Sequence, residues 1–162
     1  MIQDIVDFSS MQHDRIRRLC DEVDTAGRSG KQRLFNQLAE LVSRHEFSDR
    51  KVIYPSVVDH TTGGAADAVA CMVEAGNILR ELSGLQRVAA DDVTFDARFA
   101  NLHRVLLNHM AHEERAEFPL LRLYVPAQRL HAMANEAHDV QTMRRRGSGR
   151  SGTSPAASRG AR

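Results

Sequence analysis

Apolar residues recur at helical spacing in four long stretches of the chain. Ile5, Phe8, Ile16, Leu19, Cys20 and Val23 trace one stripe and predict a first helix from Ile2 to Thr25, ended by Ala26–Gly30. Leu34, Leu38, Leu41 and Val42 predict a second, Lys31 to Tyr54, closed by Pro55. The Thr-Thr-Gly-Gly stretch breaks the chain, and a third helix follows from Ala65 to Leu82 or Leu85. Asp91–Asp96 offers N-cap residues for a fourth, Phe95 to Phe118, before Pro119. No stretch alternates as a strand does. Helices of about twenty residues with short breaks between them predict an all-α, up-down-up-down four-helix bundle. The bundle is expected over 1–125. A short C-terminal helix with Leu130 and Met133 on one side should pack on it over 126–143, and 144–162 should be a disordered Arg/Gly/Ser tail.

Composition narrows this picture. The 162 residues suit one domain that buries a core without disulfide staples. There is no Trp and aromatics make up 5%, so the core must come from Leu, Val, Ile, Ala and Met. The net charge of +1 hides an asymmetry: the last nineteen residues carry six Arg and no acid, leaving the preceding 143 at −5. Neither part has the make-up of a nucleic-acid-binding fold. Cys20 and Cys71 do not form a secreted-type framework. The first ten residues lack the basic start and apolar run of a signal peptide, and no stretch reaches the roughly 20 apolar residues of a membrane span. A cytoplasmic protein with reduced thiols is expected, with no membrane partner.

Two segments repeat one pattern. His45 is followed by Asp49 and then Tyr54-Pro55; His109 is followed by Glu113 and then Phe118-Pro119. Each carboxylate lies one helical turn after its His, on the same face, so imidazole and carboxylate converge beside the helix. Two such helices facing each other supply two imidazoles and two carboxylates to one interior pocket. That donor set suits iron, manganese or zinc, and a cation offsets the cost of burying carboxylates. A lone His–Glu pair is usually a surface ion pair. Two copies with the same aromatic-Pro ending on separate helices point to a metal. His13, on the face of Ile16 and Cys20, is a further candidate ligand.

These residues resemble the hemerythrin-like, or HHE cation-binding, family over about residues 5–125. The family pattern is a His on helix one, HxxxE on helix two, a His on helix three and HxxxE on helix four. His13, His45, Asp49, His109 and Glu113 match five of its six positions. The resemblance implies two Fe ions joined by an oxo or hydroxo group, with Asp49 and Glu113 bridging. Two departures stand out. Asp49 replaces the usual Glu and is one methylene shorter. Helix three has no His, and the expected position falls near Ala75. Glu74 reads either as a substitute ligand or as a surface carboxylate. Tyr54 reads as a ligand for ferric iron or as core packing, reaching the metal only if the helix end distorts before Pro55. His112 is a candidate supporting residue beside the site. His60, His103, His131 and His138 are expected at the surface or at contacts between helices.

An unfilled ligand position lets a small molecule bind. Family members handle O2, peroxide or NO, or repair iron–sulfur clusters. Mycobacterial members that lack a full ligand set are associated with catalase-like activity. The resemblance therefore implies chemistry on H2O2 or NO at the iron pair, with O2 or NO sensing and iron donation as alternatives. The Arg-rich tail reads as a solubilising end or, for a sensor, as a contact to an acidic partner.

Overall fold

The structure, a computed structural model, describes residues 4–148. Its elements are α1 (Ile5–Thr25), α2 (Arg28–Lys51), α3 (Ile53–His60), α4 (Gly64–Leu85), α5 (Phe95–His112), a π-helical turn (Glu113–Glu117), α6 (Phe118–Tyr124) and α7 (Ala127–Ser148), with no strand among the described residues. α2 with α3, and α5 with the π-turn and α6, form two broken rods. With α1 and α4 they make the four-helix bundle, and α7 lies against α1 and α2 as a fifth long helix.

Asp4 caps α1 by accepting a hydrogen bond from the Asp7 amide at 2.9 Å. Only Ala26 and Gly27 link α1 to α2. At the α3–α4 turn, Gly63 adopts a φ of 93°, and a Cβ on Gly64 would meet Thr61 Oγ1 at 1.8 Å. The turn therefore requires glycine at both positions.

The prolines act differently from the sequence-based expectation. α2 ends at Lys51, not Tyr54, because Val52 leaves helical geometry (φ −120°, ψ −50°), and Pro55 is the third residue of α3. Pro119 is the second residue of α6. The first turn of a helix has amides without helical partners, so proline is tolerated there. Both prolines open helices. Ahead of Pro119 the chain widens into the π-turn, a distortion often found at functional sites.

The expected C-terminal helix is present and runs further than its expected bounds. α7 is 22 residues long and continues through Ser148, so 144–148 are helical. Leu130, Met133, Ala134 and Ala137 recur at helical spacing and are buried, which holds the helix down. Residues 149–162 of the expected tail lie outside the described residues.

Two apolar cores fill the bundle. One gathers Ile16, Leu19, Phe35, Leu38, Leu82, Phe95, Phe99 and Leu106 with their neighbours. The other gathers Ile5, Phe8, Ile53, Tyr54, Val57, Cys71, Phe118, Leu121 and the α7 stripe. Cys20 sits in the first and Cys71 in the second, and both are free thiols. Between the cores lies a layer of buried polar side chains. The same helices cross it: α1 at His13, α2 at His45–Asp49, and α5 with its π-turn at His109–Glu113. Met133 is fully buried in the second core. Met133→Ala should lower stability by about 2–4 kcal/mol, read as a lower urea midpoint with an unchanged slope. No change would mean that α7 does not share the core.

Candidate metal centre

Each rod delivers its polar residues to the same depth. His13, His45, Asp49, His109 and Glu113 are each no more than 1% exposed. The i,i+4 pairs meet as the spacing requires: His45 Nε2 lies 3.3 Å from Asp49 Oδ2, and His109 Nε2 lies 3.4 Å from Glu113 Oε1. Glu113 ties the helices together. Its Oε2 is 3.2 Å from His13 Nε2 and 3.9 Å from His45 Nε2. Two acids join this layer without being foreseen: Glu46, whose Oε2 is 3.4 Å from His109 Nε2, and Glu117, buried beside Cys71.

The imidazoles share one orientation. His13 Nδ1 donates to Glu114 Oε1 at 2.7 Å, and Arg17 holds that carboxylate with bonds of 2.8 and 2.9 Å. His45 Nδ1 donates to Gln12 Oε1 at 3.0 Å, and His109 Nδ1 donates to Glu74 Oε2 at 3.0 Å. Carboxylate and amide oxygens only accept, so with these partners the ring proton sits on Nδ1 and the Nε2 lone pair is left facing inward. His13 Nε2 and His45 Nε2 then face each other at 3.0 Å. Two lone pairs at that distance repel unless a proton or a cation sits between or beside them.

The buried acids tell the same story. Glu46 Oε2, Asp49 Oδ2, Glu113 Oε2, both Glu117 oxygens and His109 Nε2 have no hydrogen-bond partner. Such atoms are rare in a native interior and demand an explanation. Glu46, Asp49, Glu113 and Glu117 would together bring four negative charges, which two divalent cations would neutralise. A cation set among the three Nε2 atoms and the orphaned carboxylate oxygens fits this donor set.

In the metal-free protein, protons take over part of that role. Burial alone would lower the His109 pKa, but Glu46 and Glu113 outweigh it and raise it to about 10. Burial likewise opposes the charge on His13, and Glu113 and Glu114 raise its pKa on balance. Burial and the neighbouring charge of His13 push His45 down to about 3, so His45 stays neutral. Burial lifts Glu46, and it lifts Asp49 strongly with help from Glu113. Burial and Glu113 lift Glu117 to about 8. Glu113 is held down at about 2 because the surrounding imidazoles outweigh its burial.

Both aromatic-Pro endings touch the layer. The break at Val52 swings Tyr54 inward, so its hydroxyl donates to Glu113 Oε1 at 2.8 Å. The Phe118 ring stacks on His13 with centroids 5.5 Å apart. Glu74, a candidate ligand in the sequence, is set on the outer side of His109, where its second oxygen accepts from His112 Nδ1 at 2.9 Å. Cys71, Glu74 and His109 each place a donor atom within 4.8 Å of the other two on that side. Ala75 is buried beside them, where the sequence comparison called for an imidazole. His112 is partly buried, with Nε2 3.8 Å from Asp67. Among the remaining histidines, His103 pairs with Asp24 at 2.8 Å, His60 bonds the Ser56 carbonyl, and His131 and His138 are exposed.

The signals for the unforeseen residues differ in strength. Glu117 continues the i,i+4 stripe of His109 and Glu113, so its position was legible. Glu46 stands next to His45, about 100° around an ideal helix. It is buried because α2 is covered by α1, α4 and α7 together, which no local pattern encodes.

The chain belongs to the hemerythrin HHE cation binding domain family, whose model matches residues 4–121. It is similar in fold to a hemerythrin HHE cation binding domain-containing protein from Mycobacterium kansasii, with a TM-score of 0.77 and 16% identity over 90% of this chain and 89% of that one. No curated protein matches the chain. Membership makes this a cation-binding domain, and no helix among the described residues is long and apolar enough to cross a membrane.

The pKa values set a pH dependence for the metal-free protein. The contribution of His109 is complete below its ordinary value of 6.5 and is lost as pH rises to about 10. Glu117 begins to cost stability above 4.5, in full above about 8. Glu113 contributes fully above 4.5 and loses that contribution as pH falls to about 2. All three follow from proton linkage. The thermal midpoint of metal-free protein should therefore fall by several degrees between pH 6 and 9, measured by calorimetry, and bound cations should flatten the fall. A rising midpoint would contradict the proton assignments.

Proposed function

We propose that the layer holds two iron ions joined by an oxo or hydroxo bridge and that the protein turns over a small oxidant, hydrogen peroxide or NO. His13, His45 and Asp49 would hold one ion and His109 and Glu46 the other. Glu113 would bridge them from the centre, and Asp49 is the second bridging candidate. Tyr54 is close enough to support Glu113 or to ligate in its place. The observation that carries this reading is the common orientation of the three imidazoles. Each is tied at Nδ1 and open at Nε2 towards carboxylate oxygens that nothing else satisfies.

When bound, the iron pair would supply the electron exchange, and the protein would supply position, access and proton control. A cavity of about 240 Å³ between α4 and α5, lined by Glu74, Asn77, Asn108 and His109, reaches from solvent to a proposed ligand. Ligand pockets for drug-sized molecules run from roughly 300 to 1,000 Å³, so the cavity suits a molecule as small as hydrogen peroxide or NO better than a metabolite. Glu74 stands beside this approach and fixes His109, and Tyr54 presents a hydroxyl proton inside the layer.

Iron-loaded protein should contain two irons per chain, show an oxo-to-iron charge-transfer band and evolve O2 from hydrogen peroxide. Glu113→Ala should lose both the metal and the activity. A stable O2 or NO adduct without turnover would assign a sensing role instead, and zinc or no metal would overturn the iron reading. Asn108→Trp, an exposed change at the cavity mouth, should keep two irons and lower kcat/KM for peroxide by about tenfold, roughly 1.4 kcal/mol. Undiminished turnover would place the route elsewhere.

A further inference from the structure

α7 lies beyond the stretch that defines the family, yet one of its side chains enters the polar layer. Gln141, on the buried stripe of α7, is 7% exposed. It pairs reciprocally with Gln12 of α1: Gln12 Nε2 donates to Gln141 Oε1 at 2.8 Å, and Gln141 Nε2 donates to Gln12 Oε1 at 3.1 Å. Gln141 Nε2 also donates to Ser48 Oγ at 2.8 Å. Gln12 Oε1 is the acceptor that His45 Nδ1 uses.

The direction of this chain is fixed by bonding capacity. Ser48 is fully buried, and its one hydroxyl proton goes to the His45 carbonyl at 2.8 Å, with Asp49 Oδ1 as an alternative acceptor at 3.3 Å. Both are oxygen acceptors, so towards Gln141 the hydroxyl can only accept. Gln141 must then present its NH2 group to Ser48. The second proton of that NH2 goes to Gln12 and selects Oε1 as the atom Gln12 shows there. That oxygen in turn selects the Nδ1–H form of His45, the form that leaves Nε2 free. A reversed Gln12 amide would offer a donor to Nδ1, favour the Nε2–H form and remove His45 as a ligand.

We propose that Gln141 is a positioning residue for the metal centre: from α7, and anchored by Ser48, it orients the Gln12 amide and so fixes the metal-binding tautomer of His45. The proposal rests on the reading of His45 as a ligand. Glu114 and Glu74 do the same work for His13 and His109 with carboxylates, whose direction needs no anchoring. A neutral amide has two faces, so His45 alone depends on a further residue to choose between them.

The test uses the full chain with Gln141→Leu, which keeps the bulk and removes the amide, and Gln141→Glu, which cannot donate to Ser48 and Gln12. Ser48→Ala removes the anchor without a substitution in α7. Release of iron to a ferrous chelator is expected to be at least tenfold faster for one of the two irons in the Gln141 variants, with a smaller increase in Ser48→Ala. The charge-transfer band should shift, while the thermal midpoint of the metal-free variants stays within a few degrees of wild type. Long-range imidazole 15N spectra of metal-free protein read the tautomer directly. Wild type should show His45 as the Nδ1–H form, and Gln141→Leu a mixture. Wild-type release rates and spectra in both Gln141 variants would overturn the proposal. A wild type that binds no iron would overturn the function proposed above, and the 15N spectra would then decide this inference independently. A large loss of metal-free stability, with unchanged tautomer, would make Gln141 a packing residue only and would also overturn it.

Discussion

Burying acids in an apolar bundle is the constraint on which the rest of this structure depends. Glu46, Asp49, Glu113 and Glu117 lie in one layer with an apolar core on each side. An isolated buried charge costs several kcal/mol even after relaxation, so the layer cannot be ionised and empty of cations. The fold meets this by bringing three imidazoles to the same depth. In the metal-free state protons on His13 and His109, and on the acids whose pKa is raised, moderate the charge. In the proposed centre, metal and protons would compete for one buried site.

The surrounding bonds make sense in this light. Every imidazole in the layer is gripped from behind, by Glu114, Gln12 or Glu74, so the rings are oriented before any ion arrives. The grips come from three helical segments, and Arg17 and Gln141 hydrogen-bond two of them from behind, at Glu114 and Gln12. Preorganisation of this kind reduces the entropy cost of binding. The aromatic-Pro endings belong to the same scheme, since the breaks at Val52 and the π-turn aim Tyr54 and Phe118 at Glu113 and His13.

Much of this was legible in the chain. The apolar stripes located the four rods, and the i,i+4 spacing of His45 with Asp49 and of His109 with Glu113 brought the right side chains to one layer. His13 was found from its place on an apolar face. Other features were not local. Pro55 and Pro119 suggested helix ends, because a proline alone does not say whether it closes one helix or opens the next. Glu46 stands off the His45–Asp49 face and is buried by the packing of α1, α4 and α7 around α2, of which the local sequence gives no periodic sign. α7 runs past the expected end at 143 because Arg is a good helix former and nothing between Met143 and Gly147 stops the helix.

The connections also differ in length on the two sides of the bundle. α1 and α2 are bound by a link of two residues and share the Gln12 network, whereas α4 and α5 are joined by the longer stretch 86–94. The cavity that reaches His109 opens on the side of this longer link. In the proposed two-ion centre, traffic through the α4–α5 seam would meet the His109 half first, so the two ions would exchange with solvent at different rates.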